Sequence, residues 1–156
     1  MKKTNAMRLL DQRKISYRTE RYQVDPSDLS AMTVASKIGI EPERLLKTLL
    51  VRGASGCCFA VIPTDAELDL KALAKAVGEK KMAVVPLKEV QTLTGYLRGG
   101  VTVLGAKKAF PTFLDQRALT FDEVSVSAGV RGQQILLSPE DYVAATGATV
   151  SEIAAA

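Results

Sequence analysis

Two apolar runs joined by a short glycine-bounded turn constrain this sequence more than any other feature. The runs cover residues 45–52 and 57–62, and Gly53-Ala54-Ser55-Gly56 separates them. Short apolar runs bounded by turn residues are typical of buried strands, and so short a connection favours an antiparallel hairpin. The chain is therefore expected to build a sheet around this hairpin.

Helices and further strands flank the hairpin on both sides. Apolar residues recur at helical spacing from Leu70 to Val77, and Gly78 is expected to end that helix. Ser138 and Pro139 begin another helix, which Gly147 can end. Other expected helices cover residues 4–14, 32–38 and 86–93, with a helical turn at 42. Other expected strands cover residues 15–24, 82–85, 112–115, 123–127 and 133–137, and residues 154–156 are expected to fray.

Length and composition favour one folded domain. The chain has 156 residues, of which 47% are apolar and 24% charged, so it can bury a sizeable core. Its apolar runs are too short to span a bilayer, and the first residues do not form a secretory signal. We therefore expect a single domain over residues 1–156, mixed α/β with a partly antiparallel sheet, in a cytoplasmic protein.

The net charge and the cysteines say less about the function of the protein. A formal net charge of +4 permits an anionic partner, but there is no basic tail. Cys57 and Cys58 are neighbours on an expected strand, so they face opposite sides and cannot readily bond to each other. Because no activating base is near them in the sequence, they are interpreted as structural thiols of a reducing compartment.

The sequence contains no histidine. This absence removes Ser-His-Asp and Cys-His catalysis and most catalytic zinc sites. An enzyme with this sequence must work without the commonest proton shuttle, and no cofactor or metal is expected.

Lys47 is the one cation within residues 45–51 of the first apolar run. It can lie with its stem on apolar surface and its ammonium in water. It can equally place a positive charge at the mouth of a pocket, directed at a carbonyl, a phosphate or developing negative charge. The sequence alone favours neither interpretation.

A glycine-rich segment, residues 95–105, and a short connection, residues 126–132, are two further candidates. The first contains Gly99 and Gly100 but matches neither a phosphate loop nor a dinucleotide-binding loop, so it can be a tight connection or a ligand-approach loop. In the second, Ser127 has no histidine or Ser-x-x-Lys partner, so a substrate-orienting hydroxyl or a plain hairpin turn is favoured over a nucleophile. Arg131 is interpreted as a solvated charge, with phosphate binding as the alternative.

Taken together, these segments resemble the YbaK family. The resemblance rests on Lys47-Thr48-Leu49, on the segment from Gly95-Tyr96-Leu97 through Gly99-Gly100 to Gly105, and on Val126-Ser127-Ala128-Gly129 followed by Arg131-Gly132. It extends to Lys14-Ile15-Ser16, Tyr22, Asp25-Pro26 and residues 68–71, and so covers nearly the whole chain. These proteins are aminoacyl-tRNA deacylases related to the editing domain of bacterial prolyl-tRNA synthetase.

The resemblance implies a fold, a reaction and a partner. The fold would be a mixed, largely antiparallel sheet curled into a partial barrel with flanking helices. The reaction would remove a mischarged amino acid, foremost cysteine from Cys-tRNA(Pro), by cleaving its 3′ ester, either through attack by the substrate's own thiol or through hydrolysis by a positioned water. The partners would be tRNA(Pro) or tRNA(Cys), with docking onto prolyl-tRNA synthetase as one route to the tRNA.

The resemblance also implies roles for individual residues. Lys47 would be catalytic, holding the carbonyl or the terminal ribose-phosphate, and the Gly99 and Gly100 amides would face the oxyanion or the amino-acid end. The other residues implied to bind substrate or shape the pocket are Tyr22, Thr48, Thr102, Ser127, Gly129 and Arg131.

Two departures from the family pattern keep alternatives open. Val103 replaces the proline of the common Gly-Gly-x-Ser-Pro-x-Gly sequence, and Gln134 stands where some members have aspartate. The alternatives are a deacylase for Ala-tRNA(Pro) or another small amino acid, and a non-catalytic module of the same fold that binds tRNA or a nucleotide.

Overall fold

The chain forms five α-helices and ten strands in the computed structural model, which describes residues 3–155. The helices are α1 (Asn5–Gln12), α2 (Ala31–Ile38), α3 (Leu70–Val77), α4 (Leu87–Thr94) and α5 (Pro139–Thr146). The strands are β1 (Arg18–Arg21), β2 (Leu46–Gly53), β3 (Gly56–Pro63), β4 (Glu67–Leu68), β5 (Ala83–Val84), β6 (Thr112–Asp115), β7 (Val124–Ser127), β8 (Gln133–Leu137), β9 (Thr149–Ser151) and β10 (Ala154–Ala155). Short 3₁₀ turns cover Pro42–Arg44 and Gln116–Thr120.

The strands form a five-stranded sheet, a three-stranded sheet and a two-stranded ladder. The five-stranded sheet has the order β5-β2-β3-β6-β9, antiparallel from β5 to β3 and parallel from β3 to β9. The three-stranded sheet, β1-β8-β7, is antiparallel throughout. A parallel bridge between Leu45 and Ser125 connects the two larger sheets. The mixed α/β class is confirmed, and within residues 3–155 the sheets do not close into a barrel.

The central hairpin and most helix ends follow from local sequence. β2 and β3 pair over their full lengths, from Leu46 opposite Pro63 to Gly53 opposite Gly56. Side chains of Asp69 and Ser138 cap the first turns of α3 and α5, as short polar residues at helix starts commonly do. Gly78 and Gly147 end the same two helices in the left-handed conformation, which glycine adopts without steric cost.

The strand expected over residues 15–24 is shorter than predicted. Lys14 has a φ of 58° and the Ile15 N–H donates to Leu10 O, so the chain is still turning out of α1 at this point. Pairing with β8 covers Arg18–Arg21, and beyond it the Tyr22 N–H donates to Gly132 O. Tertiary pairing, and not the alternating pattern, therefore sets the bounds of this strand.

The expectation that residues 154–156 fray is wrong for Ala154 and Ala155, while Ala156 lies outside the described residues. Ala154 pairs with Leu68 and Ala155 with Glu67. Asp115, which is 1% exposed, anchors this segment because its Oδ1 accepts from the N–H groups of Ile153 and Ala154, both at 3.0 Å.

Four clusters of buried side chains hold these layers together. The largest packs α1 and α5 against both larger sheets, and a second lies between α3 and the five-stranded sheet. Two smaller clusters, one around Leu50, Val85 and Val90 and the other around Val34 and Leu45, flank opposite ends of β2. Among residues 3–155, the structure contains no helix with the length and apolar character needed to cross a membrane.

Candidate functional site

The outer edge of β2 is paired at both of its ends and open between them. At its start, Leu45 bridges to Ser125 of β7, and near its end, Val51 and Arg52 pair with β5. Among the described residues, no strand pairs with this edge over residues 47–49. The two larger sheets separate here, and a cavity of about 310 Å³ fills the gap.

The cavity wall is largely apolar. Side chains of α2, of the β5–α4 segment and of β2 supply the apolar part, including Val34, Leu50 and Val85. Val84 and Leu87, both half or more exposed, also line the cavity. Its polar lining residues are Ser30, Lys47, Thr48, Arg98, Ser127 and Gln134.

Among residues 3–155, Lys47 and Arg98 are the charged residues that line this cavity. The wall therefore carries positive charge and no carboxylate. From the residues that the structure describes, the cavity receives neither a carboxylate general base nor the combination of carboxylates and imidazoles that holds most protein-bound metals.

Lys47 lies in β2 opposite Ile62 and is half-buried. Its ammonium forms no hydrogen bond or ion pair with any side chain or main-chain group of residues 3–155. A cation that is partly withdrawn from water and has no protein partner is available for an anionic or polarised group in the cavity.

The glycine-rich segment contributes Gly99 to the cavity wall, whereas Gly100 lies behind it. The Gly100 N–H donates to Leu97 O at 2.8 Å, so it is not available to face an oxyanion as the sequence resemblance implied. A Cβ added at Gly100 would lie 3.2 Å from Val130 Cα and 3.3 Å from Gly129 C. Glycine is needed at this position because two stretches of main chain approach closely.

Thr102 and Gly129 also lie behind the cavity wall. Thr102 is fully buried, and its hydroxyl accepts a 3.4 Å hydrogen bond from the Leu104 N–H. Gly129 has a φ of 94°, and a Cβ there would lie 3.0 Å from Tyr96 Cε1. The Tyr96 hydroxyl donates to Leu104 O at 2.7 Å, and burial raises the pKa of this phenol. These residues fix the shape of the loops that support the wall.

Tyr22 and Arg131 are likewise absent from the cavity lining. Tyr22 packs against the apolar cluster of Val34 and Leu45, which lies next to the cavity. Arg131 is exposed, and its Nε donates to the main-chain carbonyl of Arg98 at 2.8 Å. Both residues therefore contact elements that line the cavity without lining it themselves.

Ser127 and Gln134 form the wall opposite β2. They are directly paired in the β7–β8 ladder, and the Ser127 hydroxyl accepts a 3.2 Å hydrogen bond from the Gly129 N–H. Gln134 is buried, and its Oε1 accepts a 2.8 Å hydrogen bond from the Ser125 hydroxyl. The residue at position 134 is thus a neutral amide whose oxygen is already occupied.

Arg98 is the charged lining residue that the sequence did not point to. It is exposed, and its guanidinium forms no ion pair with any carboxylate of residues 3–155. The available signal was a single cation placed directly before the double glycine, Arg98-Gly99-Gly100. That signal is weak without the fold, because a lone arginine in a loop is usually solvated.

Neither cysteine lines the cavity. Cys58 is buried in the cluster beneath α3, and burial raises the pKa of its thiol to about 11. A thiol with that pKa is protonated at neutral pH and is a poor nucleophile. Cys57, on the other side of β3, is a half-buried free thiol.

Comparison with known proteins adds a family assignment and near relatives. The family model described as an aminoacyl-tRNA editing domain matches residues 26–145. A protein of Enterococcus faecalis, EbsC, named as a candidate Cys-tRNA(Pro)/Cys-tRNA(Cys) deacylase, is 45% identical over 152 residues, which cover 97% of this chain and 93% of EbsC.

Solved structures show the same fold. A candidate trans-editing enzyme for prolyl-tRNA synthetase superposes with a TM-score of 0.86 at 25% identity, covering all of both chains. A hypothetical protein superposes with a TM-score of 0.89 at 24% identity, covering 97% of this chain and 100% of its own. Both structures superpose on nearly the whole chain, so they share the single mixed α/β fold described above.

Proposed function

Because the chain belongs to the aminoacyl-tRNA editing domain family, we propose that it is a trans-editing deacylase that removes cysteine from mischarged Cys-tRNA(Pro). The whole chain, residues 1–156, would act as one editing domain in the cytoplasm. It would take its substrate from solution or while docked on prolyl-tRNA synthetase, with Cys-tRNA(Cys) as a second substrate.

The observation that carries the proposal is the charge of the cavity. Within the described part of the chain, its wall holds two cations without protein partners and no carboxylate, and the sequence has no histidine. Such a site stabilises negative charge well but cannot itself remove a proton from water efficiently. It therefore suits a reaction in which the substrate supplies the nucleophile.

A cysteinyl ester supplies that nucleophile. Its thiol, with a pKa of about 8.5, gives some thiolate near neutral pH, and its sulfur can reach its own carbonyl carbon. The sulfur–carbon bond forms, the ester carbon–oxygen bond breaks, and the terminal ribose hydroxyl of the tRNA leaves with the proton that the thiol lost. The products are tRNA without an attached amino acid and a four-membered cyclic thioester. Water opens the thioester afterwards in solution.

The cavity residues stabilise the developing charge and bind the tRNA end and the amino acid. Lys47 faces the ester and stabilises the negative charge that develops on its carbonyl oxygen. Arg98, at the loop that carries Gly99, binds a phosphate of the tRNA 3′ end. Thr48 and Ser127 shape the cavity around the amino acid, and the exposed apolar side chains of Val84 and Leu87 offer an apolar surface to the terminal base.

The test compares deacylation of tRNA(Pro) charged with cysteine, alanine, serine or proline. We expect the cysteinyl ester to be cleared much faster than the others, with the cyclic thioester detected by mass spectrometry before it hydrolyses. Comparable rates on the alanyl ester, which has no thiol, would exclude substrate assistance and favour a water-dependent deacylase for small amino acids.

The non-catalytic alternative predicts a different result. In that case all four charged tRNAs bind, none is deacylated faster than in buffer, and Lys47→Ala changes binding only. Deacylation rates measured with and without prolyl-tRNA synthetase show whether docking on the synthetase speeds deacylation.

A further inference from the structure

The open stretch of β2 presents main-chain hydrogen-bonding groups to the cavity. In an antiparallel ladder, both main-chain groups of one residue face the same neighbouring strand, and those of the next residue face the opposite side. Which residues of β2 face the cavity can therefore be worked out from the hydrogen bonds at its two ends.

Three hydrogen bonds fix this alternation. Leu45 O accepts from the Thr64 N–H on the β3 side at 2.9 Å, whereas Leu50 O accepts from the Val85 N–H on the opposite side, also at 2.9 Å. The Phe59 N–H, in the strand residue opposite Leu50, donates away from β2 to Pro111 O at 2.8 Å. Lys47 and Leu49 thus bond to β3, and Thr48 faces the outer edge with both its N–H and its C=O.

Thr48 lies in the middle of the gap where that edge has no strand partner. The Leu45–Ser125 bridge precedes it and the Val51–Val84 pair follows it. Thr48 also lines the cavity. An unpaired strand edge is a template for another extended segment, which can add to it by main-chain hydrogen bonds.

We propose that Thr48 binds the aminoacyl group of the substrate as if that group were one residue of an added antiparallel strand. The Thr48 N–H donates to the ester carbonyl oxygen, and the Thr48 C=O accepts from the α-ammonium. The inference rests on the proposed function, because it takes an aminoacyl ester as the occupant of the cavity.

The chemistry of an aminoacyl ester matches this edge. Its α-nitrogen is a donor and its carbonyl oxygen an acceptor, with the spacing they have within one residue of a strand. The two hydrogen bonds are those that a hydrogen-bonded residue pair exchanges in an antiparallel ladder. They recognise what all amino acids share, so choice among side chains falls to the rest of the cavity.

The N–H contact also serves the reaction. Negative charge develops on the carbonyl oxygen as sulfur adds, and a donor that is already in place strengthens its hydrogen bond at that moment. Thr48 and the adjacent Lys47 would then act on the same oxygen, one through the main chain and the other through its ammonium.

Binding of a stable analogue tests the inference independently of turnover. The probe is 3′-amino-3′-deoxyadenosine acylated with cysteine, whose amide keeps the carbonyl and the α-amino group but resists cleavage. Thr48→Pro removes the N–H, and proline is tolerated on a strand edge where its nitrogen faces outward. Thr48→Val is the matched variant that keeps the N–H.

We expect the analogue to bind Thr48→Pro roughly tenfold more weakly than Thr48→Val, the usual effect of one lost hydrogen bond. The same analogue without its α-amino group should bind the unaltered protein roughly tenfold more weakly. Equal affinity of the two variants, or no effect of the amino group, would overturn the inference. Deacylation by the unaltered protein tests the proposed function separately.

Two further measurements test the inference if the Thr48→Pro variant does not fold. Replacement of the Thr48 residue by its α-hydroxy analogue converts the amide to an ester and deletes the same N–H without proline's constraint, and it should weaken binding equally. In hydrogen exchange, the Thr48 amide should exchange faster than the Leu49 amide in the free protein, and slow down when the analogue binds. A Thr48 amide as protected as that of Leu49 without ligand would contradict the inference.

Discussion

The Nε of Arg131 donates a 2.8 Å hydrogen bond to the main-chain carbonyl of Arg98. The bond joins the loop after β7 to the glycine-rich segment. A Cβ added at Gly99 would lie 3.3 Å from Arg131 Cγ, so the two loops are in contact. Arg131 thus positions the segment that carries Arg98, while the Arg98 guanidinium stays available at the cavity.

Arg98→Ala should weaken binding of aminoacyl-tRNA by removing one phosphate contact. The slope of log binding constant against log salt concentration should fall in magnitude by about one. Deacylation of cysteinyl-adenosine, which has no phosphate, should change little. Arg52→Ala is the control, because Arg52 is already paired with Glu89 at 2.7 Å. An unchanged salt slope in Arg98→Ala would contradict the assignment.

Lys47→Ala should slow deacylation by about a hundredfold or more, since a preorganised charge that stabilises a transition state contributes a few kcal/mol. Its melting temperature should stay close to that of the unaltered protein, because the ammonium has no partner among residues 3–155. Lys71→Ala, which removes an exposed cation of α3, should leave the rate as it was. Full activity in Lys47→Ala would end the catalytic assignment.

Gly100→Val should reduce stability and activity together. The added side chain must push apart the main chain at Gly129 and Val130, and overpacking of this kind costs about 1–3 kcal/mol. The sequence resemblance implied instead that the Gly100 amide faces the substrate, and that role would give lost turnover in a protein of unchanged stability. Thermal unfolding distinguishes a packing role of Gly100 from a substrate-facing role. Lost activity with an unchanged melting temperature would favour the substrate-facing role.

Cys58 should make the fold less stable in alkali without affecting the chemistry. Burial raises the pKa of its thiol from 9.0 to about 11. The native state therefore keeps a proton that the unfolded chain loses, so this contribution is present below pH 9 and lost as pH rises toward 11. The loss amounts to roughly 3 kcal/mol at most.

Urea unfolding of the unaltered protein and of Cys58→Ser from pH 7 to pH 11 measures this loss. Serine does not titrate in this range, so the difference between the two proteins should narrow as pH rises. At neutral pH, Cys57→Ser and Cys58→Ser should each keep most deacylase activity, allowing for any loss of stability. Abolished turnover in a well-folded cysteine variant would show that a thiol takes part.

The secondary structure that could be predicted is the part whose signals are local. The apolar periodicity from Leu70 with the stop at Gly78 placed α3 to the residue, and the Ser138 cap with the stop at Gly147 did the same for α5. The strands β4, β9 and β10, each two or three residues long, were not predicted. They exist because distant segments pair, and so few residues carry no periodicity to detect.

The candidate site also has a part that could be predicted from the sequence and a part that could not. The adjacent Lys47 and Thr48, together with Gly99 and Ser127 from two distant segments, all line one cavity. The other five predicted residues surround or support it, and the two glycines among them, Gly100 and Gly129, serve close packing between loops. The openness of β2 depends on where β5 and β7 end, which no local pattern encodes.

The anchorage of Asp115 implies an order of events during synthesis. The two N–H groups that its Oδ1 accepts from lie 38 and 39 residues further along the chain. A ribosome therefore makes the carboxylate well before it makes Ile153 and Ala154. Until those residues emerge, burying Asp115 would leave part of a charged group without its donors. The nascent chain should thus delay closure of the β6 region until Ile153 and Ala154 are free, and removal of these two residues should destabilise the centre of the sheet.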